Sequence, residues 1–439
     1  MREIIGLYID PGTGSMLFTV LIGIFGFLIY IAKIAFVKIK FVMTRGKIDK
    51  TESDKIPYLI FAEDKRYWQM FKPVVDEFEK RGIDVVYWTT TPNDPVLDLK
   101  YEHVKFIFAG EGNKAYAKLN MVNACIILAT TPGLEVYQWK KSKFVDYYVH
   151  MFHSVGCGGY RLYGMDYYDA IICAGQYQID VIRELEAKRH LPAKDLKLVG
   201  MPYFDVMKEK VEKAEPVKNE KTTVLLAPSW GGSSIFNRLG SAVLEELVKT
   251  DYDIIVRPHP QSFIAEKELM DELMKKFPDS DRLKWDRSAD NFETLNKADI
   301  LISDFSGVFF DFALVFDKPI MYMDTDYDNG WYDYYCLDDQ TSWIMHTLPK
   351  LGHKLTKENL PDIGRLIEES LNSSEFSEGR DIAREETWAY IGKGAYNTVD
   401  YLTDKYKEIS ESKKQKAEKD SGRKTEKKAK DQPKKKGSK

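Results

Sequence analysis

Short, unbroken apolar runs recur along this chain, each followed by a longer stretch with helical spacing, and the whole series is played through twice. A strand whose side chains are apolar on both faces must be covered on both faces. Runs of this kind therefore point to parallel sheets sandwiched between helices rather than to half-exposed antiparallel ribbons. The first series comprises 57–62 (PYLIFA), 83–88 (IDVVYW), 104–109 (VKFIFA), 124–130 (ACIILAT), 147–152 (YYVHMF) and 168–174 (YDAIICA). A helix is expected after the first run, with apolar positions at Trp68, Phe71, Val74, Val75 and Phe78, and another over 176–189. A polar Lys/Glu-rich stretch, 208–221, reads as a connection. The second series is 223–228 (TVLLAP), 253–260 (DIIVRPHP), a helix over 265–277, 283–285 (LKW), 298–303 (ADILIS), a helix from Ser306, and 319–323 (PIMYM). At 439 residues the chain exceeds one ordinary core. The fold class expected is α/β, with two Rossmann-like domains over 48–207 and 222–376 facing a cleft.

The two ends are different in kind. Residues 16–38 are mostly apolar and uncharged except for Lys33 and Lys38, about the length that spans a bilayer core of ~30 Å. Lys33, Lys38, Lys40, Arg45 and Lys47 crowd the far flank, against Arg2, Glu3 and Asp10 in the leading segment 1–15. The positive-inside rule then leaves 1–15 outside, 16–38 as a single transmembrane helix, and the catalytic body on the cytoplasmic side of the cell membrane. A surface-lying amphipathic helix or a re-entrant hairpin is the alternative. Residues 377–404 read as a C-terminal helix placed to cross back to the first domain. The Lys-rich 405–439, nearly devoid of apolar residues, reads as disordered, either solubilising the chain or touching anionic lipid.

Composition narrows the function classes. Apolar content of 44% with 30% charged residues is that of a globular chain, and the net charge of −4 gives the folded part no nucleic-acid character. Cys125, Cys157, Cys173 and Cys336 are widely spaced, and the seven histidines show no ligand spacing. No disulfide framework, metal or cofactor is therefore expected.

Four clusters fall at strand ends, where open α/β sheets bind ligands. In HMFHSVGCGGYR (150–161), His153 precedes a glycine-rich turn, where an imidazole suits a general base or bonds the loop structurally. In APSWGGSS (227–234), Ser229, Trp230 and the glycines offer N–H groups and hydroxyls to phosphate. In RPHP (257–260), the prolines stiffen the turn carrying His259, and Arg257 suits either a diphosphate or a buried ion pair. In SDFSGVFFDFAL (303–314), Ser306 is placed to cap a helix whose first N–H groups favour an anion.

In this order the clusters resemble the CDP-glycerol glycerophosphotransferase family of teichoic-acid-type polymer synthases, over roughly 147–323. The resemblance rests on FHS (152–154), LLAPSW (225–230), RPHP, SDFSGVFFDFAL with DKPIMYM (317–323), and LVGMPYFD (198–205). It implies a GT-B-like fold with the donor held mainly by the second half, His153 as general base, and His259 serving the donor phosphate. Arg257, Ser229, Trp230, Asp304, Ser306, Gly307 and Asp311 then make up the donor site. The chain departs from the family pattern twice: its His-Gly-Thr triplet is His153-Ser154-Val155 here, and the second serine of its Ser-Ser turn is Gly307. The reaction implied is transfer of glycerol phosphate from CDP-glycerol, or a related alditol donor, to a hydroxyl of a cell-envelope polymer or lipid-linked acceptor, with release of CMP. A nucleotide-sugar glycosyltransferase of the same fold and a non-catalytic membrane-tethered scaffold are the rival readings.

Overall fold

The computed structural model describes residues 55–157, 161–288, 290–304, 306–323, 332–339 and 342–430. The expected anchor at 16–38, the leading segment 1–15 and the last residues of the tail lie outside them. Among the described residues no helix is long and apolar enough to cross a membrane.

Two wholly parallel sheets form the body. The first holds β1 (Ile56–Ala62), β2 (Val85–Thr89), β3 (Val104–Phe108), β4 (Ala124–Ala129), β5 (Val145–Met151), β6 (Ala170–Cys173) and β7 (Asp195–Leu198), in the order β3-β2-β1-β4-β5-β6-β7. The second holds β8 (Thr223–Leu226), β9 (Asp253–Val256), β10 (Leu283–Trp285), β11 (Ile300–Ser303), β12 (Ile320–Met323) and β13 (Gly352–Leu355), in the order β10-β9-β8-β11-β12-β13. Both are Rossmann-like, similar to the GT-B arrangement. Register is fixed by burial on both faces. Leu59, for instance, faces Val86 on one side and Ile127 on the other, and all three lie inside or nearly so. In each sheet the order reverses beside the first strand, opening a crevice between β1 and β4 and another between β8 and β11.

Helix α1 (Trp68–Lys80) buries Phe71, Val74, Val75 and Phe78 against the first sheet, the face its spacing predicts. Helix α2 (Gln176–Arg189) follows β6. Helix α3 (Pro202–Lys213) occupies ground expected as linker from 208, because Pro202 starts it and Phe204 and Met207 give it an apolar face. That face shares one apolar cluster with Leu225, Leu301, Phe309 and Phe312 of the second domain, so the two domains meet over a continuous core. A segment beyond β12 reaches back as well. Arg189 pairs with Asp333 at 2.7 Å and with Asp166 at 2.6 Å, and Tyr334 and Leu337 enter the first domain's core.

The C-terminal region differs from the expectation. Instead of one helix over 377–404 there are two, α4 (Ser374–Thr387) and α5 (Gly394–Lys430). The break is built by Asp205, whose carboxylate accepts from Trp388 Nε1 at 2.8 Å and from the backbone N–H of Gly392 and Gly394 at 2.7 Å each. Gly392 has φ +81°, a conformation in which glycine carries little steric cost. Helix α5 then lies on the first domain, with Val399, Tyr401 and Leu402 in its core and Lys405 paired to Asp195 at 3.0 Å. It also continues helically through 405–430, where disorder was expected. Tyr406 and Ile409 still pack on the first domain, and beyond them Lys, Glu, Ala and Gln all favour a helix, so a Lys-rich stretch extends a helix that packing has already started.

Candidate active site

The groove is built at the two crevices. On the first-domain side, Glu63 and Asp64 follow β1, and a single helical turn, 65–67, comes next. Asp64 Oδ1 accepts from the backbone N–H of Arg66 at 2.8 Å and from its Nε at 2.9 Å. The backbone N–H of Lys65 donates to Thr91 Oγ1 at 3.2 Å, tying the turn to the end of β2. Tyr67 lays its ring beside that of His153, centroids 5.1 Å apart.

His153 itself follows β5, and its Nδ1 lies 3.0 Å from the hydroxyl of Thr130 at the end of β4. When that hydroxyl accepts the Nδ1 proton, Nε2 carries the basic lone pair. Burial, and secondly the Arg66 charge, depress the imidazole to about 4, so it is neutral near pH 7. His150, three residues earlier, is fully buried among Phe152 and Tyr168, and burial likewise keeps it neutral. Glu63 is raised above the ordinary carboxylate range by burial, with Tyr116 donating to it at 3.4 Å.

On the second-domain side, His259 follows β9. Its backbone N–H donates to the carbonyl of Pro228 at 3.0 Å, and its Nδ1 accepts from the backbone N–H of Gln261 at 3.1 Å. A ring whose Nδ1 accepts holds its proton on Nε2, so the neutral His259 is a donor. Burial first and Arg66 second lower its pKa, against the opposing carboxylates of Asp304 and Glu266. One first-domain guanidinium thus acts on an imidazole from each domain. Trp230 is 46% exposed, with its ring centroid 6.3 Å from that of His259.

The expected donor-site residues do not all face the groove. Arg257 forms an ion pair with Asp286 and also donates to Ser288 Oγ at 2.9 Å and to the Ser288 carbonyl at 2.8 Å. Burial alone would raise Asp286, yet hydrogen bonds from Ser288, Thr294 and Arg257 hold it at about 2. The arginine is therefore neutralised within its own domain, since the loop after β10 returns a carboxylate to it. Asp304 is buried and accepts from the backbone N–H of Ser229 at 3.0 and 3.1 Å and from that of Ile235 at 3.0 Å. It shapes the loop after β8, and the Ser229 N–H is engaged with it. Ser306 caps the first turn through its side chain, from just outside the helix. The helix starts at Val308 with Gly307 as cap, and Ser306 Oγ accepts from the Val308 N–H at 3.4 Å. Gly307 is exposed, and a Cβ there would meet nothing within 4 Å. The change from serine therefore keeps the N–H and widens access to it. Asp311, one turn on, has its carboxyl raised to about 7 by burial, so near neutrality it donates as readily as it accepts.

Arg66, Tyr67 and Thr130 escape sequence reasoning. None belongs to a motif, and only the β1–β4 crevice, itself a product of strand order, brings them to His153. Among the described residues no group of three or more His, Cys, Asp or Glu is placed to hold a metal ion.

Comparison with known proteins bears on the fold and on the family. No curated protein matches the chain. Among solved structures, the wall teichoic acid polymerase TagF, in a variant soaked with CDPG, aligns with TM-score 0.54 at 15% identity, covering 87% of this chain and 97% of its own. The S. aureus MnaA–UDP co-structure aligns with TM-score 0.52 at 12% identity, covering 80% and 97%. UDP-GlcNAc 2-epimerase from Neisseria meningitidis, bound to UDP-GlcNAc, aligns with TM-score 0.50 at 14% identity, covering 80% and 100%. At these identities the alignments speak to the fold. Residues 161–336 of the chain match the family CDP-Glycerol:Poly(glycerophosphate) glycerophosphotransferase, and this is the family the chain resembles in sequence as well as in fold.

Proposed function

We propose that the chain transfers glycerol phosphate from CDP-glycerol to a hydroxyl of a teichoic-acid-type polymer or lipid-linked acceptor, releasing CMP. The observation that carries this reading is the family match over 161–336, because that span contains the loops after β8, β9 and β11 that border the second crevice. The TagF structure soaked with CDPG supports the same donor. In this reading the donor diphosphate sits at the start of the helix at Gly307 and Val308, beside the Nε2 proton of His259. The acceptor hydroxyl enters from the first domain and gives its proton to His153. Such chemistry depends on positioning and charge stabilisation more than on covalent help.

With the Thr130 hydroxyl accepting from His153 Nδ1, the two neutral imidazoles hold their protons on different nitrogens, which supports the assignment of roles, one accepting a proton and one donating a hydrogen bond. Asp304 and Arg257 act at one remove, by shaping the loops. Residues 16–38 would hold the body at the membrane face where lipid-linked acceptors reside. The test is nucleotide release by the full chain from a panel of CDP-alditols and UDP-sugars. The reading expects CMP from CDP-glycerol, and release of UDP alone would overturn it. Removing residues 1–47 is expected to move the protein from the membrane fraction to the supernatant, and retention in the membrane fraction would refute the anchor.

A further inference from the structure

A diphosphate carries charge that a groove must answer, yet the cation expected from sequence, Arg257, is already paired with Asp286. His259 is pushed toward its neutral form. Among the described residues, Arg66 is the cation that acts on both histidines. Its Nε and backbone N–H are pinned by Asp64, and the turn that bears it is tied to β2 through Thr91. Its neighbour Tyr67 packs on His153. The side chain is 72% exposed, and its two terminal nitrogens have no hydrogen-bond partner among the described residues. A guanidinium fixed at Nε and open at its outer edge presents two N–H groups in the fork that suits phosphate oxygens.

We propose that Arg66 is a catalytic residue, its outer edge binding the oxygens of the phosphoryl group as it passes between the donor at His259 and the acceptor at His153. The proposal rests on the phosphotransferase reading given above. In the step it assists, the acceptor oxygen forms a bond to the donor's β-phosphorus, and the hydroxyl proton goes to His153. The bond from that phosphorus to the bridging oxygen breaks, with its electron pair leaving on CMP. The charge gathered on the in-flight oxygens is what the guanidinium stabilises. Its pinning by Asp64 means little reorganisation is needed at that moment.

The experiment compares the full-length wild type with Arg66→Gln and Arg66→Lys, following CMP release from CDP-glycerol across pH. Arg66→Gln is expected to lower kcat by on the order of 10²–10³ with a smaller change in donor KM, the usual loss for one preorganised donor. Arg66→Lys should recover part of the rate, because it restores the charge without the fork. The acid limb of kcat/KM should move to higher pH in the glutamine variant, since a cation that opposes protonation of His153 is gone. An unchanged melting temperature separates these effects from unfolding, as expected for an exposed side chain. Wild-type turnover together with undiminished Arg66→Gln turnover, or a lowered rate with an unmoved acid limb, overturns the role of Arg66 alone. A wild type that releases no CMP from CDP-glycerol overturns the underlying reading instead.

Discussion

Two imidazoles in this groove are prepared for opposite tasks by a single atom each. At His259 a backbone N–H donates to Nδ1, and at His153 a threonine hydroxyl lies 3.0 Å from Nδ1, placed to accept its proton. His259→Ala is expected to abolish CMP release, by on the order of 10²-fold or more, while the protein keeps its melting temperature. Near-normal turnover would remove His259 from the account. His153, depressed to about 4, is a neutral base throughout the physiological range. The acid limb of kcat/KM should therefore fall near pH 4 rather than near 6.5, and a limb centred at 6.5 would show that His153 is not the base. The same shift acts on stability. Between about 6.5 and 4 the unfolded chain binds a proton that the folded chain refuses, so His153 lowers stability as pH falls through that window. The strand-end positions of both histidines were legible because an apolar run followed by glycine or proline marks the end of a strand. Arg257 kept two readings in the sequence, because the carboxylate that pairs with it comes from the next strand's loop, which only strand pairing brings near. Arg66 was invisible because nothing local distinguishes a turn arginine that faces a groove from one that faces water.

At the scale of elements, the alternation of apolar runs found all but two of the strands. The two that escaped, β7 (DLKL) and β13 (GHKL), lie at sheet edges, where one flank needs no apolar cover. The C-terminal break was hidden for a related reason: it is made by Asp205, far off in sequence, and not by the local residues. Asp205→Ala leaves three donors without their acceptor and should cost about 3 kcal/mol of stability, measured by denaturant melts. Turnover at low temperature should survive, since Asp205 lies outside the groove. A Cβ at Gly175 would stand 1.9 Å from the Glu386 carbonyl oxygen, and one at Gly200 would stand 2.2 Å from that of Ala389. Alanine at either position is expected to loosen the seat of the C-terminal segment and lower the melting temperature, and an unchanged melting curve would contradict the close approach.

As a whole molecule, the body couples its two sheets through α3, through the 332–338 segment and through the return of α5. Because one apolar cluster runs across both domains, calorimetry on the intact chain should show a single cooperative transition for the body, and two separated transitions would argue against the shared core. CDP-glycerol should raise that transition through mass action. The central claim is that this groove moves a phosphoryl group. Donor labelled with ³²P on its β-phosphate tests it most directly. The account predicts that label appears in the acceptor with unlabelled CMP released, and that His153→Ala and His259→Ala both stop the transfer. Label retained on CDP, with only the alditol moved, would mean a carbon–oxygen bond had broken and would contradict it.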